Sequence, residues 1–167
     1  MNPKRLQALI SGVLLLLIAF QVFQYYPKLP NIMPSKYNAS GQPVSTMTKE
    51  AFFCVYVGTY LLLFLIFAGV GLFAHKVPIS MINIPNRDYW FSEEHRAEAN
   101  DRLGIMMLRF SNITSLFLIV LLQFIVDQIL IGANFGTKFW VLIGAYFIFV
   151  VIWTFQFWIK FKKPTPV

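Results

Sequence analysis

Apolar residues run almost unbroken through four segments of the chain, at about residues 6–26, 51–74, 105–133 and 139–159. The hydrocarbon core of a bilayer is about 30 Å thick and a helix rises about 1.5 Å per residue, so about 20 apolar residues cross it. Each segment meets that length. The pattern predicts an all-α integral membrane protein in which four transmembrane helices form one bundle, a single membrane domain over residues 1–167. A polar loop at 27–50 joins the first two helices, and a second at 75–104 joins the next two. Lys4 and Arg5 ahead of the first run resemble the start of a secretory signal, but the run is long and no small-x-small cleavage site follows it. A retained helix is expected.

Composition agrees. Hydrophobic residues make up 57% of the chain and charged residues 13%, against about 25% charged in a soluble domain. The one cysteine, Cys54, rules out an internal disulfide and is expected to be a small buried apolar residue. The net charge of +7 has its first use in setting topology, because cytoplasmic loops collect Lys and Arg. Lys4, Arg5, Lys76, Arg87, Arg96, Arg102, Lys160, Lys162 and Lys163 fall on one side of the spans, and Lys28, Lys36, Lys49 and Lys138 on the other. Both termini and the 75–104 loop are therefore expected in the cytoplasm, and the 27–50 loop outside a cytoplasmic membrane. Tyr25, Tyr26 and Trp158 suit the aromatic belts at the two interfaces. No nucleic-acid motif is present.

The outer loop carries the most local specification. Pro27, Pro30, Pro34 and Pro43 fix φ, remove backbone donors and push the residues before them toward extended conformations. A stiff extended ribbon is expected. Asn38-Ala39-Ser40-Gly41 fits a type I turn, and Thr48 is placed to cap the second helix. A stiff loop binds at a smaller ordering cost, so the loop is either a connector lying on the helix ends or a recognition surface.

The run YPKLPNIMPSKYNASGQPVSTMTK, residues 26–49, is similar to the signature loop of the DUF1648 family, and Leu29, Pro30, Pro34, Tyr37, Asn38, Gly41 and Pro43 fall on its pattern. Lys36 stands where that family often has His. INIPNRDYWFSEEHR, residues 82–96, resembles a second segment that follows helix two in many members. The resemblance implies a small multi-spanning membrane protein, in a family that includes an immunity protein directed against a secreted peptide toxin. Lys36 and the seven matching residues become the candidate ligand-binding set.

In the cytoplasmic loop, Ser92 is expected to cap a short amphipathic helix with Glu93 and Glu94 in its first turn, ending near Gly104. Tyr89, Trp90 and Phe91 read as an interfacial anchor. Glu98 and Arg102 stand at i, i+4 in the favourable order. Glu94, His95 and Glu98 lie close together, but the only other histidine is His75; zinc sites need more ligands, so no metal is expected.

On helix three, about 100° per residue brings Asn112, Gln123, Asp127 and Asn134 within about 60° of Arg109. Arg109 and Asp127 are about 27 Å apart and cannot pair. Ionisable groups in hydrocarbon cost at least a few kcal/mol, so this stripe is expected either to pack, its amides bonding neighbouring helices while Arg109 and Asp127 reach the interfaces, or to line a cavity or a partner surface. Gln21 and Gln24 are the expected partners at the Asp127 end, and Gln156 at the Arg109 end. Gly58, Gly69, Gly71, Gly132, Gly136 and Gly144 are candidates for close helix contact. No nucleophile–base pattern, phosphate loop or haem motif is present, so neither an enzyme nor a cofactor is expected. The expectation is a non-enzymatic binding protein of the immunity or sensor kind, meeting an extracellular or periplasmic ligand such as a peptide toxin. An accessory subunit of a larger membrane complex, or a small transporter component using Asp127, are the alternatives. The partners would be the bilayer, a peptide or membrane protein, and in some readings further copies of the chain.

Overall fold

The structure, a computed structural model, describes residues 2–132 and 136–162. Helix α1 (Pro3–Tyr25) is opened by Asn2, whose side chain accepts from the Lys4 amide, and by Pro3 at its first position. A 3₁₀ turn (Tyr26–Lys28) leads to strands β1 (Ile32–Tyr37) and β2 (Pro43–Thr48). Helix α2 (Lys49–Phe73) follows, then 3₁₀ turns at Ala74–Lys76 and Ile79–Met81, the short α3 (Arg87–Trp90), α4 (Arg96–Ile131) and α5 (Gly136–Lys160). Four of these helices are long and apolar enough to cross a membrane, at positions close to those expected from hydropathy.

Three features depart from expectation. The 27–50 loop is extended but not a lone ribbon: β1 and β2 pair antiparallel, so the described residues are mostly helical with one two-stranded hairpin. Both strands are edges, so Pro34 costs no interior ladder bond. The register shifts on either side of Lys36. The expected turn closes the hairpin: the Gly41 amide donates to the Asn38 carbonyl at 2.9 Å, and the Asn38 side chain accepts from the Gln42 amide at 2.9 Å. Gly41 has φ 77°, a conformation that costs glycine little.

Second, the amphipathic helix expected to lead into the third span is not separate from it. The helix starts at Arg96 and runs unbroken for 36 residues. Ser92 turns its hydroxyl to the Tyr89 carbonyl and lies 3.1 Å from His95 Nδ1, and does not cap. Gly104 sits inside the helix. Third, Cys54 is exposed, on the outward side of α2.

Packing centres on α4, which lies against α1 and α2 along most of its length and carries α5 on a third side. Two apolar clusters mark the ends. At the hairpin end, Leu29, Met33, Phe53, Leu122 and Val126 are buried together. At the terminal end, Trp90, Leu103, Phe157 and Phe161 form the heart of the other. Lipid tails are as apolar as leucine, so between these ends helices associate through close packing and hydrogen bonds. Of the six glycines expected at contacts, only Gly71 makes one; Gly58, Gly69 and Gly144 have open space where a Cβ would stand. Gly71 meets Gly104: a Cβ on Gly104 would lie 2.7 Å from the Gly71 carbonyl oxygen. Gly132 ends α4 in the left-handed region at φ 65°.

Candidate functional site

The hairpin is seated on the helices by its first strand. Leu29 and Met33 are 4% and 0% exposed and plug the gap between α2 and α4. The base is tied twice: Lys49 Nζ donates to the Leu29 carbonyl at 3.3 Å while lying 4.8 Å over the Tyr26 ring, and the Tyr26 hydroxyl donates to Glu50 at 3.2 Å. Thr48 caps α2 as expected, accepting from the Ala51 amide at 3.2 Å. Of the candidate ligand-binding residues, Leu29 and Gly41 are buried, Pro34 and Tyr37 are half-buried, and Pro30, Lys36, Asn38 and Pro43 are exposed. Strand β2 is exposed along nearly its whole length, and Ile32 and Val44 are 59% and 61% exposed.

Burial pushes the Tyr37 phenol up to about 12 from its ordinary 10.0. A raised phenol pKa favours the folded state while the group is protonated. The contribution is present below pH about 10 and is lost as pH rises toward about 12. The phenolate absorbance of the wild type minus that of Tyr37→Phe is expected to rise late, near pH 12; a midpoint at 10 would show that the ring is not held in the hairpin.

The polar stripe of α4 divides. Asn112 is buried and bonds α1 three times, accepting from Ser11 Oγ at 2.6 Å and donating to the Gln7 carbonyl and Gln7 Oε1, each at 3.0 Å. Gln123 accepts from the Tyr25 hydroxyl at 2.7 Å and donates to Asp127 Oδ1 at 2.8 Å. Asp127 and Arg109 are exposed, and Arg109 makes no hydrogen bond or ion pair among the described residues. Asn134 lies outside the described residues. The expected pairs do not form: Gln21 is buried and donates to the Ile119 carbonyl at 3.0 Å, while Gln24 and Gln156 are exposed. Neither Gln21 nor Gln24 reaches Asp127, because Tyr25 and Gln123 occupy the space between α1 and the hairpin end of α4.

Sequence reasoning passed over the neutral hydroxyls beside Asn112. Ser111-Asn112-Ile113-Thr114-Ser115 addresses a different neighbour at almost every position. Asn112 bonds α1, Thr114 pairs with the Tyr146 hydroxyl of α5 at 2.8 Å, and Ser111 and Ser115 line a small void with Tyr60 of α2. All three helices are gathered within a turn and a half of α4. Three hydroxy residues within five positions are the available signal.

The second motif closes the other end. The Trp90 indole N–H and the Asn86 side chain both donate to the Phe161 carbonyl, at 2.8 and 3.2 Å, and Arg102 donates to the Lys160 carbonyl at 2.6 Å. These are the carbonyls that a helix leaves unpaired at its C-terminus, where a cation is also favoured. Arg102 lies 4.6 Å over the Trp90 ring and pairs with Glu98, as its spacing predicted. Trp90 is 2% exposed; it is a buried cap for α5 and not an interfacial anchor.

Residues 12–59 match the family model for DUF1648, a domain of unknown function. The match runs from within α1 through the hairpin into α2. No curated protein and no solved structure matches the chain.

Proposed function

We propose that this chain, which carries a DUF1648 domain over residues 12–59, is a non-enzymatic binding protein of the immunity or sensor kind. It resides in a cytoplasmic membrane as a single domain with both termini inside and the hairpin outside, as the distribution of Lys and Arg favours. Its hairpin meets a peptide ligand. The observation that carries this reading is the division of the hairpin into an anchored and a presented part. Leu29 and Met33 are buried among helix residues while Ile32, Lys36 and Val44 face outward. The presented surface is ordered before any ligand arrives, which lowers the cost of binding. An open strand edge also suits an extended peptide, whose main chain adds to the sheet.

The test is survival of a host that lacks the chain, challenged with peptides secreted by the chain's own host. Expressing the chain is expected to protect, and Val44→Asp to remove protection while the protein still inserts at wild-type level. Equal killing with and without the chain would overturn the reading. An accessory subunit of a larger complex is the second reading, and the uncovered face of α4 favours it.

A further inference from the structure

On α4, about 100° per residue places Arg109, Ile113, Leu116, Val120 and Asp127 on one line. To one side lie Asn112 and Gln123, which bond α1. To the other lie Phe110, Thr114 and Phe117, which meet α5. The line itself is uncovered: Ile113, Leu116 and Val120 are 41%, 51% and 43% exposed. Beside it a groove of about 210 Å³ opens between α4 and α5, where Leu142 and Ala145 form the far wall. Arg109 stands at one end of this face and Asp127 at the other, 18 residues apart.

We propose that this face is the docking site for a single transmembrane helix of another protein, carrying a carboxylate at the depth of Arg109 and a cation at the depth of Asp127. Charge decides the occupant. Ionisable groups in a spanning helix are costly and mark sites of interaction. An anionic lipid in one leaflet suits Arg109 but leaves Asp127, about 27 Å away, without a partner. A second copy in the same membrane orientation, related by a two-fold axis along the membrane normal, brings Arg109 against Arg109 and Asp127 against Asp127. A helix of reversed charge satisfies both ends, and Ala145 lets it approach closely. This inference goes beyond the ligand reading of the hairpin and does not rest on it.

The test uses the full chain, fluorescently labelled, in phosphatidylcholine vesicles with synthetic polyleucine helices of about 22 residues. The matched peptide carries Glu and Lys 18 residues apart; one control has the two at half that spacing, and another has neither. Energy transfer is expected to show about fivefold to tenfold tighter association with the matched peptide. Arg109→Gln with Asp127→Asn is expected to remove the preference. A second variant, Arg109→Asp with Asp127→Lys, is expected to restore it, since a matched peptide inserted in the opposite sense meets the reversed charges. Equal association of all three peptides overturns the proposal. So does a preference unaffected by the variants, stronger transfer between copies of the chain than to the peptide, or displacement of the matched peptide by phosphatidylglycerol.

Discussion

Gly104→Val is expected to cost about 3 kcal/mol, at the upper end of the usual overpacking range, whereas Gly69→Ala is expected to cost nothing. The contrast comes from what each position faces. A Cβ at Gly104 would stand 2.7 Å from the Gly71 carbonyl oxygen and 3.1 Å from the Lys4 side chain. A Cβ at Gly71 would stand 3.0 Å from the Leu108 amide and 3.1 Å from the Gly104 carbonyl. The Leu108 side chain, 2.7 Å from a Gly71 Cβ, and the Lys4 side chain can turn away, but the two glycine carbonyls and the Leu108 amide are backbone that no rotamer change moves, so α2 and α4 must part. Parting them also opens the void beside Tyr60 and Ser111, and the Ser111 hydroxyl is buried there without a partner among the described residues. At Gly69 nothing lies within 4 Å, and alanine is the better helix former. Unfolding in a denaturing detergent series measures both. Equal stability of the two variants would mean that the glycines do not meet.

Trp90→Ala is expected to be comparably severe, at about 3–5 kcal/mol for loss of a large buried aromatic. The ring fills the terminal cluster beside Phe161 at 5.8 Å, supports Arg102, and donates the bond that satisfies the Phe161 carbonyl. Removing it leaves a cavity and weakens the cap on α5, so hydrogen exchange is expected to quicken over the last turn of α5. Trp158 is 60% exposed, and Trp158→Ala is the control that should cost far less. If the two substitutions cost the same, Trp90 is not a core residue.

The four spans were legible because lipid imposes length and hydropathy directly on sequence. Thr48, the Asn38–Gly41 turn and the Glu98–Arg102 pair were legible for a similar reason: each is local chemistry, decided within four residues. The hairpin was hidden by its prolines. They argue against a central strand, but a two-stranded ribbon has only edges, and the turn that closes it was already visible. Gly104 read as a break because its partner, Gly71, is 33 positions away, and only the fold brings them together. The α4 stripe was legible in part, since Asn112 and Gln123 bond α1 as a packing face would, and the rest was hidden for a deeper reason. A helical wheel shows which residues share a face but not which face is covered. Arg109 and Asp127 drew attention by their charge and face outward, while the less conspicuous Ser111, Thr114 and Ser115 are buried and line the contacts with neighbouring helices. Trp90 read as an interfacial anchor because sequence shows its aromatic character and not the Phe161 carbonyl it caps.

If the hairpin is the ligand-facing element of a membrane-resident binding protein, as proposed, the ligand must touch its exposed strand. The most direct measurement places a photo-crosslinking amino acid at Val44 in intact cells, with a matched probe at Leu116 within the membrane, and exposes the cells to peptides secreted by the chain's own host. A peptide adduct is expected from position 44 that excess unmodified peptide competes away, and none from position 116. No adduct at 44 from peptides that the chain protects against, or an adduct at 116 instead, would contradict it.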